Sequence, residues 1–115
     1  MELRNLMSVA ANYRAAGAVR LVLAGVIERR ADLTDYEHAV DCSVKVARLR
    51  AHPSVLVDRL RERHINDPAG LAWHLARAPE LTKILDQARV ADAEVDTTGR
   101  PIGDVAADVL SAVGW

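Results

Sequence analysis

The chain has 115 residues, of which 50% are hydrophobic and 27% charged, and its formal net charge is −1. A chain of this size can bury about two-thirds of the surface of its unfolded state in one core, so we expect a single helical domain over residues 1–115. The lone Cys42 excludes an internal disulfide, and the longest apolar run is too short to cross a bilayer. No sequence resembling a signal peptide opens the chain. We therefore expect a cytoplasmic protein that does not bind a membrane.

The first predicted element covers residues 2–30, where apolar residues recur at helical spacing on both sides of Gly17. Gly17 either closes one helix in a left-handed cap or lies inside one long helix, at a cost of about 1 kcal/mol relative to alanine. We prefer two helices, with a single helix as the alternative.

The second half of this region, from Val19 to Ile27, is apolar on nearly every face. Such a helix belongs at the centre of a bundle or in a subunit interface. Because a bundle this small hides little surface, we expect a homodimer in which small residues, among them Gly25, allow close packing. The residues predicted for self-association are Val19, Val22, Leu23 and Val26. The alternative is that the other helices cover this segment completely.

Two further helices are expected before residue 65. Thr34 and Glu37 have the spacing of a capping box, which predicts a helix from Thr34 to Ala51. Pro53 ends that helix and begins another, from Ser54 to His64, because proline suits the first helical position and not the interior.

The clearest helical period lies in residues 68–95. Asp67 precedes Pro68 as an N-cap precedes a first-turn proline, and Pro79 repeats the signal. We therefore expect two helices joined by a tight corner. Residues 96–103 are predicted to be a loop, and Asp104 to begin a last short helix. Nowhere do apolar and polar residues alternate over a useful length, so no strand is expected.

These elements predict an all-α fold, a compact bundle of six or seven short helices with orthogonal or irregular packing. The expected centre is the segment from Val19 to Ile27.

The helix pair in residues 68–95 also resembles a helix-turn-helix, with residues 53–64 as the supporting helix. This resemblance implies a DNA-binding regulator. The candidate contacts to bases or phosphates are Arg59, Arg61, Arg63, Lys83, Gln87 and Arg89.

Several features oppose DNA binding. Ala76 occupies the place where the turn glycine is common, Arg77 follows where an apolar residue is usual, and Thr82 replaces a core aliphatic residue. Residues 64–115 carry four Lys or Arg against eight Asp or Glu. DNA affinity depends on cationic contacts to phosphate. DNA binding is therefore the alternative hypothesis, behind binding to a protein partner.

A catalytic or metal site has little support in the sequence. His38 and Cys42 lie four residues apart, a spacing that can present two metal ligands, yet neither has a companion in a recognised pattern. We predict no enzyme, cofactor or metal. The main hypothesis is a small non-enzymatic protein-interaction or regulatory module that acts through helix surfaces and binds an unidentified protein partner.

Overall fold

A computed structural model describes residues 2–115, which form two compact units, one that ends at Val44 and one from Lys45 to Trp115. The described residues contain five α-helices and a two-stranded parallel sheet. The fold is therefore mixed α/β, and the prediction of an all-α bundle of six or seven helices is wrong. None of the helices in residues 2–115 is long and apolar enough to cross a membrane.

The first unit contains helices α1, Leu3–Ala15, and α2, Arg30–Val40. Gly17 follows α1 with φ 99°, and the N–H of Ala18 donates to the carbonyl of Tyr13 at 2.9 Å. This is a Schellman-type ending, in which glycine takes the left-handed position at no steric cost. The predicted break at Gly17 is confirmed, but the helix expected after it is absent.

The core of this unit lies between α1 and α2. Leu6 and Ala10 of α1 are buried with Ala39 and Val40 of α2. Four half-buried apolar residues pack against them: Leu3, Leu21, Tyr36 and Val44. The buried centre thus belongs to the helices that flank residues 19–27, and the prediction that those residues form the central helix is wrong.

Helix α2 begins four residues before the predicted start at Thr34. Asp32 accepts hydrogen bonds from the backbone N–H and the guanidinium of Arg29, so this pair caps the helix in place of Thr34 and Glu37. The helix ends at Asp41, which adopts a left-handed φ of 54°. The predicted continuation to Ala51 is wrong because the backbone turns here, well before Pro53.

The second unit contains β1, Ala47–Arg50, and β2, Ala93–Asp96, which pair in parallel from Ala47 opposite Ala93 to Arg50 opposite Asp96. Parallel strands need a long crossover connection. Helices α3, Pro53–Arg63, and α4, Pro68–Ala88, provide it. Helix α5, Ile102–Ala112, follows β2 and begins two residues before the predicted start at Asp104.

Helix α4 is continuous through Pro79, so the predicted corner between two helices is wrong. Asp67 caps it as expected, accepting from the N–H of Gly70 at 3.0 Å. Proline's fixed φ is compatible with a helix; what Pro79 removes is a donor to the carbonyl of Leu75. The helix continues past Pro79 as a single element of 21 residues.

Candidate interaction surface

An exposed apolar surface lies on the stretch of chain that connects α1 to α2. Residues 18–28 form neither helix nor strand, and we call them the apolar segment. The four residues predicted for self-association all lie in it and are exposed: Val19 by 94%, Val22 by 82%, Val26 by 51% and Leu23 by 41%. The structure therefore places these side chains on one short stretch of chain, outside any helix.

Local chemistry explains why this segment is not helical. Val19, Val22 and Val26 are β-branched and lose side-chain freedom in a helix. The Gly17 turn ends α1 before the segment begins, and the Arg29–Asp32 cap starts α2 directly after it. The Arg29 guanidinium lies 2.8 Å from the Asp32 carboxylate, and its hydrogen bond holds the pKa of Asp32 below the ordinary value. Both ends are thus fixed by capping interactions of the neighbouring helices.

Leu21 is the contact between the apolar segment and the core of its unit. Gly25 approaches Tyr36, since a Cβ built on this glycine would lie 3.7 Å from the tyrosine hydroxyl. The residues between these two points, Val22 to Ala24, are exposed. The segment is held to the unit at a few places while most of its apolar side chains face solvent.

The backbone of the apolar segment is also unpaired in the described structure. None of the residues 21–27 takes part in a hydrogen bond within residues 2–115. Backbone N–H and C=O groups need partners wherever they lose water. A protein that covers these side chains must therefore also provide hydrogen bonds to this stretch of backbone.

The candidate nucleic-acid contacts lie in the second unit. Arg61 and Arg63 are in the last turn of α3, Lys83 and Gln87 are exposed on α4, and Arg89 is the residue that ends α4 with φ 50°. Because α4 runs through Pro79, no corner separates residues 68–76 from the predicted recognition helix that follows Pro79. These five residues therefore lie on α3, on α4 and directly after α4. The corner that the helix-turn-helix hypothesis required is absent from α4.

Arg59, the sixth of these candidates, forms hydrogen bonds within its own unit. Its guanidinium donates to the hydroxyl of Thr97 at 2.9 Å and to the carbonyl of Thr97 at 3.1 Å. Thr97 in turn donates through its hydroxyl to the carbonyl of Arg50 at 2.8 Å. Arg59 therefore ties α3 to the carboxyl ends of both strands.

This junction was not predicted from the sequence. The N–H of His52, after β1, donates to the hydroxyl of Thr98, after β2, at 2.8 Å. The signal available was the alternation of acidic and apolar residues from Asp92 to Asp96, which fits a strand ending in polar residues. The helical period predicted over residues 68–95 covers most of this alternation.

Acidic and basic side chains meet beside the same strands. The Arg48 guanidinium lies 2.7 Å from the Asp86 carboxylate, and that of Arg50 lies 3.0 Å from Glu94. The hydrogen bond from Arg48 holds the pKa of Asp86 below its ordinary value. These pairs connect β1 to α4 and β2, and we assign them a structural role.

Two histidines also meet, one directly after α3 and one in α4. The rings of His64 and His74 stack with centroids 4.6 Å apart, and the buried Nε2 of His64 has no hydrogen-bond partner in the described structure. Across residues 2–115, no three His, Cys, Asp or Glu side chains come together as a group that could hold a metal ion. Cys42 is exposed and free.

Comparison with protein-family models, with curated proteins and with solved structures found no match for this chain.

Proposed function

We propose that this chain is a small non-enzymatic protein-interaction or regulatory module whose binding surface is the apolar segment. One observation carries the proposal: Val19 and Val22 are 94% and 82% exposed within a run that also exposes Leu23 and Val26. Single exposed apolar residues are ordinary, but a contiguous apolar patch typically marks a site of protein binding. The sequence predicted helix surfaces for this purpose. The apolar segment is the better candidate because its exposed apolar residues lie close together in the chain, from Val19 to Val26.

The chemistry of the segment favours a particular mode of binding. Its backbone groups at residues 21–27 are free of hydrogen bonds within the described structure, and its valines and Ile27 suit a strand. An extended partner that pairs with this backbone would gain main-chain hydrogen bonds together with apolar contacts. Pairing of this kind adds a strand and needs no preformed pocket.

The test is capture of partners by the purified, tagged chain from an extract of the organism that encodes it. We expect Val22→Glu to lose partners that the wild-type chain retains, because a charge replaces an apolar contact. Ile102→Glu is the matched control, since Ile102 is 89% exposed in the other unit. Equal capture by the wild type and by Val22→Glu would overturn the proposal.

DNA binding through Arg61, Arg63, Lys83, Gln87 and Arg89, with Arg59, remains the alternative proposal. Its support is the exposure of cationic side chains on α3 and α4. A mobility-shift titration over a range of salt concentrations tests it. Binding that weakens steeply with salt would support DNA as a partner, and no binding at low salt would remove it.

A further inference from the structure

We propose that the partner of the apolar segment is the same segment of a second copy, and that the two pair as antiparallel β-strands across a twofold axis. This inference rests on the proposed function, because it takes the apolar segment to be the binding surface. A twofold interface must be self-complementary, since each residue meets the partner's copy of another residue. The sequence of the segment has this property.

The complementarity is centred on Ala24. When two antiparallel copies meet with Ala24 opposite Ala24, Arg20 of each lies opposite Glu28 of the other. Val22 then lies opposite Val26, and Leu21 opposite Ile27. Opposite charges and β-branched pairs directly across an antiparallel ribbon are both stabilising. The pairing thus matches charge with charge and apolar residues with apolar residues.

Neighbouring registers lack this match. A shift of one residue in one direction sets Arg20 opposite Arg29, two like charges, and a shift in the other direction sets it opposite the apolar Ile27. Like charges directly opposite one another are destabilising. Arg20 and Glu28 also take part in interactions within the chain, so the intermolecular pairs form by exchange of partners.

The structure supplies the remaining requirements for strand pairing. Residues 21–27 have backbone groups that no other group in the described structure uses, and the length from Arg20 to Glu28 is that of an ordinary strand. The Gly17 turn and the Arg29–Asp32 cap fix both ends. An isolated two-stranded ribbon is marginally stable, but here Leu21 already packs against the core on each copy.

A charge-reversal experiment tests the register between copies. In a homodimer of Arg20→Glu, two glutamates face each other at both ends of the ribbon, and in a homodimer of Glu28→Arg two arginines do. We expect the dimer Kd of each variant, measured by sedimentation equilibrium, to rise about tenfold or more. In an equimolar mixture of the two variants, the heterodimer regains both ion pairs and should form with nearly wild-type Kd.

Only an intermolecular pair is restored by mixing, so a change confined to one chain cannot imitate this result. Arg4→Glu, a charge reversal at an exposed position of α1, is the control and should leave the Kd unchanged. Circular dichroism checks that each variant keeps its helices. A mixture that dimerises no better than either variant, or a wild-type chain that stays monomeric, would overturn the inference. In either case, loss of captured partners on Val22→Glu would still support the interaction surface, which distinguishes this failure from failure of the proposed function.

Discussion

At the scale of single residues, Thr97 connects three parts of the second unit through its hydroxyl. It is only 9% exposed, and its hydroxyl donates to the Arg50 carbonyl and accepts from Arg59. Thr97→Val removes both hydroxyl hydrogen bonds, while the backbone N–H of residue 97 still donates to the Arg50 carbonyl and Arg59 still donates to the carbonyl of residue 97. Two lost hydrogen bonds, one of them to a charged group, should lower the free energy of unfolding by about 1–3 kcal/mol. Urea unfolding measures it. The control is Thr34→Val, at an exposed position of α2, which should change the free energy of unfolding by less than about 0.5 kcal/mol. An equally small loss for Thr97→Val would contradict a structural role for the Thr97 hydroxyl.

Asp86 gives a prediction about pH. Its pKa is lower in the folded chain because Arg48 donates a hydrogen bond to it and because Arg48 and Arg50 are positively charged. A lowered folded-state pKa stabilises the fold above the unfolded-state pKa of about 4, and the contribution is lost as the pH falls through the folded-state value. Asp86→Asn should therefore make the thermal midpoint fall less steeply below that pH. The control is Asp58→Asn, outside the ion pairs beside the strands, whose thermal midpoint should vary with pH as in the wild type. If the wild type and both variants showed the same slope of thermal midpoint against pH, the stabilising role of Asp86 would be excluded.

At the scale of elements, local signals predicted the starts of two helices and did not predict the sheet. Pro53 and Pro68 begin α3 and α4, as the proline and cap signals indicated. Those signals act within one turn of helix, so they can be read from neighbouring residues. The sheet instead pairs Ala47 with Ala93, far apart in the chain, and each strand has only four residues, so any alternation within it is short.

The apolar segment was predicted only in part, for a related reason. Composition identified Val19, Val22, Leu23 and Val26 as residues available to a partner, and they are exposed. Composition did not decide their conformation, because a continuous apolar run is compatible with either a buried helix or a strand. Which one forms depends on what covers the side chains.

The end of α2 offers a test of local backbone strain. Asp41 adopts φ 54°, a region that glycine occupies without steric cost. Asp41→Gly should therefore raise the free energy of unfolding by up to about 1 kcal/mol, as measured by urea unfolding. Asp35→Gly, inside the same helix, should lower it, because glycine there loses more backbone freedom. If Asp41→Gly also lowered stability, the left-handed ending would be in doubt.

At the scale of the whole molecule, ion pairs lie beside the strands of the second unit, while one apolar stretch of the first unit is exposed. In the second unit the acidic and basic residues beside the strands form ion pairs, as between Arg48 and Asp86. In the first unit the core takes only Leu21 from the apolar segment. We infer that association, by covering the remaining residues of the segment, gives the chain its function.

The concentration dependence of the molecular mass tests this account most directly. We predict that size-exclusion chromatography with light scattering gives a mass that rises from monomer to dimer across the micromolar range. Val22→Glu should remain a monomer with unchanged helicity, because Val22 is 82% exposed and contributes little to the fold of its own chain. Ile102→Glu should dimerise like the wild type. A wild-type mass that stays at the monomer value at every concentration, or a Val22→Glu dimer as stable as the wild type, would contradict the account.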